Sequence, residues 1–345
     1  MYINKNFNFK GLMEFAGRHL IWLSLWSFIV VFLYKILGIR WVAIPLSAVV
    51  IVGTTVAFYI GFKNNQAYDR LWEARKIWGS IVNGSRSFAI NLRAYVSNKF
   101  RADALPQQEL DAIVKKMVYR HIAWTYTLRS QLLAPTAWEH ISQNVHIARL
   151  TKRRIQNSGL GLLEDDDADH QLSKHLAPAE YELLAKYSNM ATQLIDIQSQ
   201  QLKQLRDEDL IDDFRHVELQ KLLNDFYEQQ GKTERIKKFP LPRQYGGASL
   251  LFVSIFIFLL PFGLVADFDK LGPIASWLAI PVIALIGWLF LMMELVGDYS
   301  ENPFEGLPND IPMLSICRTI EIDLKEMIGD TDIPSPVMAK KGVLM

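Results

Sequence analysis

"GTTVAFYIGFKNNQAYDRLWEARKIWG" runs from Gly53 to Gly79. Its first ten residues carry no charge and its remainder is crowded with charge, yet no proline or turn cluster separates the two parts. From Leu71 the apolar positions are Leu71, Ala74, Trp78, Ile81, Phe88, Leu92 and Tyr95, spaced three, four or seven apart. That spacing is one face of an amphipathic helix. The stretch therefore predicts a single helix that leaves a membrane-grade segment without a turn. Within it, Thr54, Phe58 and Phe62 recur every four residues and share a face. Gly53, Ala57 and Gly61 form a small-residue stripe beside them, which lets neighbouring helices approach closely in lipid. Aromatic side chains on one flank and small ones on the other suit a ring of identical helices around an axis. In such a ring Phe58 and Phe62 form stacked apolar constrictions that gate by wetting and dewetting. Rings that face lipid, or that fill a bundle core, account for the same spacing.

Working outward, three further stretches resemble the first half of this one. A bilayer core needs roughly 20 apolar residues in a helix. Trp41–Phe62, Gln244–Ala266 and Leu271–Met293 contain no charge, and His19–Tyr34 is a shorter run flanked by Lys35 and Arg40, which can snorkel. Trp22, Trp41 and Trp277 lie near span ends, as in an aromatic belt. A buried hairpin in a soluble core explains one such run more readily than four. Lys5, Lys10 and Arg18 precede the first span, and Lys63, Arg70, Arg75 and Lys76 open the middle of the chain. The loop "DFDK" (267–270) is net acidic. The positive-inside rule then places the N-terminus, the middle and the C-terminus in the cytoplasm, with only Lys35 and Arg40 against it. The expected division is a cytoplasmic segment 1–18, transmembrane helices 1 and 2 over 19–62 with the pore helix at 41–62, and a cytoplasmic helical domain 63–243. Transmembrane helices 3 and 4 follow over 244–295, then a cytoplasmic segment 296–345. The N-terminus lacks a signal-peptide core and cleavage site, so its retention is expected.

The middle reads as helix throughout. Gln107–Leu133 and Ala179–Tyr227 repeat the amphipathic spacing, and breaks fall at "APTAW", "NSGLG" and "LAPAE". Glu164–His170, "EDDDADH", alternates acids but lacks the glycine and closing glutamate of an EF-hand, and a solvated loop is expected. No phosphate loop, GxGxxG, HExxH or GxSxG occurs, and none of the seven scattered histidines pairs with another at helical zinc spacing. His121 is expected to be packed or on the surface, and Arg120 and Arg129 to be members of structural ion pairs. One cysteine, Cys317, excludes an intrachain disulfide, and a net charge of +1 gives no argument for nucleic acid. These residues point away from catalysis, cofactors and a metal site.

"GFKNNQAYDRLWEARKIWG" (Gly61–Gly79) resembles the motif after the pore helix of the bestrophin family, especially its prokaryotic branch. "ENPFEGLPNDIPMLSICRTIEIDL" (Glu301–Leu324) resembles the hallmark after that family's fourth span, and "LLNDFYEQQGKTERIKKFPLP" (Leu222–Pro242) is a looser match. The resemblance implies an all-α membrane protein: a homopentameric channel in a bacterial inner membrane, conducting small monovalent ions among membrane lipids. It implies a neck at Thr54, Phe58 and Phe62, with Thr54 replacing a bulkier residue, and a second constriction near Phe226. Animal members carry an acidic run after Asn-Pro-Phe; here Asn302, Pro303 and Phe304 are followed by only Glu305 and Asp310. A structural segment is expected there in preference to a calcium site. Animal members imply chloride and the prokaryotic branch implies cations such as sodium; cations are favoured. Asp69 and Glu73 share a helical face, but one chain does not tell which charges face an axis. A secondary transporter, or a non-conducting scaffold or sensor, is the rival reading; charge-free spans disfavour the transporter.

Overall fold

The computed structural model describes residues 1–4, 9–162 and 174–345. The acidic run Glu164–His170 lies outside them. Every regular element among the described residues is helical, beside two isolated bridges, Tyr2–Val343 and Lys340–Val343. We number the main helices α1 (Arg18–Lys35), α2 (Leu46–Tyr95), α3 (Gln107–Leu133), α4 (Val145–Ser158) and α5 (Pro178–Leu184). They continue with α6 (Met190–Asp207), α7 (Asp213–Lys238), α8 (Arg243–Lys270), α9 (Ala275–Asp298) and α10 (Met313–Met327). Among the described residues, four helical segments are long and apolar enough to cross a membrane: Met13–Lys35, Arg40–Phe100, Arg243–Lys270 and Ala275–Asp298.

The quoted stretch is one helix, as its pattern requires: α2 runs unbroken for 50 residues. Its start differs from the expected Trp41. Arg40–Val42 forms a 3-10 turn and the regular helix begins at Leu46. Pro45 is the cause, because its ring pushes Ile44 out of the helical region and is tolerated only at the first turn of a helix. The fourth span is also displaced, from Leu271–Met293 to Ala275–Asp298. The acids of "DFDK" belong to the last turn of α8 instead of a loop. Gly272, at φ +122°, turns the chain before Pro273.

The chain divides into two compact units. One comprises Asn4–Leu71 and Pro240–Asn302, the other Met1–Ile3, Trp72–Phe239 and Pro303–Met345. The first holds α1, α8, α9 and α2 through Leu71. Its core is aliphatic and aromatic: Leu23, Val31, Val56, Ile60, Phe256, Ile283 and Trp288 among others. Small residues bring the helices close, as in lipid-embedded bundles. A Cβ on Gly53 would lie 2.6 Å from the Phe256 ring, and one on Gly263 2.5 Å from Val49. Polar ties are few: Trp288 Nε1 donates to Ala16 O at 3.0 Å, and Lys35 pairs with Asp269 at 2.5 Å.

The second unit holds the rest of α2 with α3–α7 and α10. Helices α4, α6 and α7 start on side-chain caps: Asn144, Asn189 and Asp212 each accept an N–H of the first turn. Of the apolar positions on the later half of α2, Ala74, Trp78, Ile81, Phe88 and Leu92 are fully buried. His121 is buried among Phe88, Trp124 and Phe226, with Nε2 2.8 Å from Ser85 Oγ. Ser85 already donates to Ile81 O, so Nε2 carries the proton. Arg120 forms a bidentate pair with Glu180 at 2.6 and 3.1 Å, a structural ion pair.

Candidate functional site

The apolar stretch of α2 has two different faces. Val49, Val56 and Ile60 are buried against the first unit's core, while Thr54, Phe58 and Phe62 are exposed. Phe58 is 69 % and Phe62 58 % exposed, and their rings meet edge to face with centroids 4.6 Å apart. Thr54 Oγ1 donates to Val50 O at 2.9 Å, so its methyl and not an unsatisfied hydroxyl completes the row. The small-residue stripe splits. Gly53 is consumed by packing on Phe256, whereas a Cβ on Gly61 would meet no atom of another element within 4 Å among the described residues. Continuing along the exposed side, Asn65, Gln66 and Asp69 are exposed, and Asp69 has no salt bridge among the described residues.

Phe226 does not belong to such a row. It is buried in the second unit, against Phe88, His121, Trp124 and the space left by Gly84. Its ring is packed as a core residue of its own chain, at the position where the family resemblance implies a second constriction. The apolar side chains that α7 does expose include Phe214 (85 %) and Val217 (49 %).

The segment after α9 is built from buried polar groups. Asn302 is buried, and its side-chain oxygen and nitrogen have no hydrogen-bond partner among the described residues. Pro303 is buried as well. Phe304 adopts φ +75°, a conformation costly for a phenylalanine and sustained only by its surroundings. Asp310 supplies that support. Its Oδ1 accepts the backbone N–H of Phe304 at 2.9 Å and of Ile311 at 2.7 Å, and Oδ2 accepts that of Gly306 at 2.9 Å. Burial pushes the Asp310 carboxyl up, against the pull of these donors. Glu305 accepts from His140 Nδ1 at 2.9 Å. Lys237 pairs with Glu139 and donates to Phe304 O at 3.2 Å. Both carboxylates that remain of the acidic run thus already have partners. Among the described residues no group of three or more His, Cys, Asp or Glu side chains is arranged to hold a metal.

Sequence reasoning missed a buried ion pair beside the phenylalanine row. Lys63 and Glu294 each stand just past the end of an uncharged run, and nothing in the sequence pairs them. In the structure their side chains are 1 % and 3 % exposed and they pair at 2.5 Å. The available signal was that both charges come directly after apolar runs of similar length.

Comparison with known proteins accords with this architecture. Residues 14–326 match the family described as Bacterial/Fungal Bestrophin protein. The chain is 26 % identical over 317 residues to the voltage-dependent anion channel-forming protein YneE of Escherichia coli K12, covering 91 % of this chain and 87 % of that protein. It is 25 % identical over 283 residues to the voltage-dependent anion channel-forming protein alr2987 of a Nostoc species, covering 82 % and 78 %. The crystal structure of a bacterial bestrophin homolog from Klebsiella pneumoniae superimposes with a TM-score of 0.71 at 22 % identity, covering 91 % of this chain and 98 % of that one. The chain belongs to the bestrophin family.

Proposed function

We propose that this protein is one subunit of a membrane ion channel that passes small monovalent ions down their gradients and catalyses no reaction. The observation that carries the reading is the exposed Phe58–Phe62 pair on a helix whose opposite face is buried. Two bulky aromatic rings left uncovered beside a packed core are surface reserved for something else. Copies of α2 around an axis would bring the rings together as a neck, with Thr54 forming a wider and wetter outer ring. Five copies are the assembly that the family resemblance implies. The charge pattern supports a bacterial inner membrane setting with both termini and the domain 63–243 in the cytoplasm.

The sign of the permeant ion has two supports that oppose each other. The relatives are named as anion channel-forming proteins. In this chain, the exposed carboxylate of Asp69 lies seven residues, or about 10 Å of helix, beyond Phe62 and favours cations. We favour the cation. Substituting Phe58→Ala and Phe62→Ala tests the neck. Each should raise conductance or open probability several-fold, because removing an apolar ring lowers the dewetting barrier. Currents unchanged in both variants would refute the gate assignment.

A further inference from the structure

Phe62 and Lys63 are neighbours with opposite environments. Phe62 is exposed, while Lys63 is buried and its Nζ meets Glu294 Oε1 of α9 at 2.5 Å. Ser249 of α8 donates to the second oxygen, Oε2. Asn64 donates through Nδ2 to Met293 O at 2.9 Å. Gly297 completes the junction, since a Cβ there would collide with Asn64 Oδ1. Two consecutive residues of α2 are therefore fastened to the last turns of α9, directly after the second phenylalanine.

A buried ion pair is a poor device for stability alone. Removing both charges from water costs as much as their attraction returns, and an apolar pair of similar size holds helices together as well. What the pair supplies is a fixed orientation. An apolar helix face can slide or roll against lipid-embedded neighbours at small cost. A helix carrying Lys63 cannot, because any rotation that removes the ammonium from Glu294 leaves two charges unpaired in a buried site. A roll of one residue, about 100°, would carry Phe62 toward the core and break the pair together.

We propose that Lys63 and Glu294 are positioning residues: a rotational lock that keeps Phe58 and Phe62 turned outward and makes the orientation of the neck answer to α9. The proposal rests on the neck reading, and the permeant ion touches neither residue. It also accounts for Ser249, which donates to the second Glu294 oxygen, and for the Asn64 Nδ2 that reaches Met293 O, since both bonds hold only in this rotational setting.

The test is the reactivity of Phe62→Cys toward a water-soluble methanethiosulfonate reagent in the full-length protein. The native Cys317 is buried with its thiol pushed up to about 12, so it does not compete. With the native pair the introduced thiol should react quickly. Lys63→Gln or Glu294→Gln should slow it by about tenfold, the scale of coupling between contacting residues. The charge-swapped pair Lys63→Glu with Glu294→Lys, and the conservative Lys63→Arg, should restore most of the rate. Equal rates in every background, or a swap no faster than the single variants, would overturn the lock. Should the single variants fail to accumulate, a swap that folds and reacts like the native pair sustains the proposal, and a swap that does not fold defeats it. Thiol reactivity needs no current, so an absent conductance would count against the channel reading and leave this result legible.

Discussion

His121 shows how a single side chain reports on its surroundings. It is enclosed by aromatic rings, with Nε2 bonded to Ser85 and Nδ1 without a hydrogen-bond partner among the described residues. Desolvation lowers its pKa from 6.5 to about 3, so the folded protein keeps the ring neutral. The unfolded chain takes up a proton below pH 6.5 and the folded chain does not. Stability should therefore be level above that pH and decline as pH falls toward 3. By pH 5 the loss should reach about 2 kcal/mol. Thermal melts of the detergent-solubilised protein between pH 5 and 8 would show it, and His121→Phe should flatten the slope. Its periodicity placed this histidine on an amphipathic helix, but a packed and a surface position were equally compatible with that spacing. Only the convergence of Phe88, Trp124 and Phe226 decides between them, and those residues lie far apart in sequence.

At the scale of elements, the continuity of α2 was legible because nothing in Gly53–Gly79 interrupts a helix. Its start was not, since an uncharged run marks solvent preference and Pro45 marks geometry. Small residues show the same division. Gly53 and Gly61 are alike in sequence, yet one meets Phe256 and the other meets no other element among the described residues. Gly53→Ala should cost about 1–3 kcal/mol through overpacking, whereas Gly61→Ala should be neutral or stabilising by up to about 1 kcal/mol within the chain. Thermal shift measured on both variants checks the contrast, and equal losses would contradict it. The scarcity of acids in the segment after α9 was legible directly. That segment's dependence on Asp310 as a backbone acceptor was hidden, since three N–H groups converge there through the loop conformation itself. The burial of Phe226 was hidden for a related reason: a motif match fixes a position along a helix and leaves open which face is buried.

At the scale of the whole molecule, one chain exposes what an assembly must cover. Phe58, Phe62, Val50 and Ile51 all lie uncovered on α2. The channel reading places several copies of the chain around an axis. Chemical crosslinking in mild detergent should yield a ladder that ends at five species, whereas one ending at two or three would remove the central pore. The charge and hydropathy pattern made the four spans legible, and the bestrophin motifs made the family legible. Ion preference was not, because it depends on which charges face the axis once copies meet. Recording from the purified protein in a planar bilayer under a salt gradient tests the central claim most directly. We predict discrete currents whose reversal potential lies toward the cation Nernst value, with the anion value transferring the preference of the named relatives to this chain. A silent bilayer for both the native protein and Phe58→Ala would contradict the account.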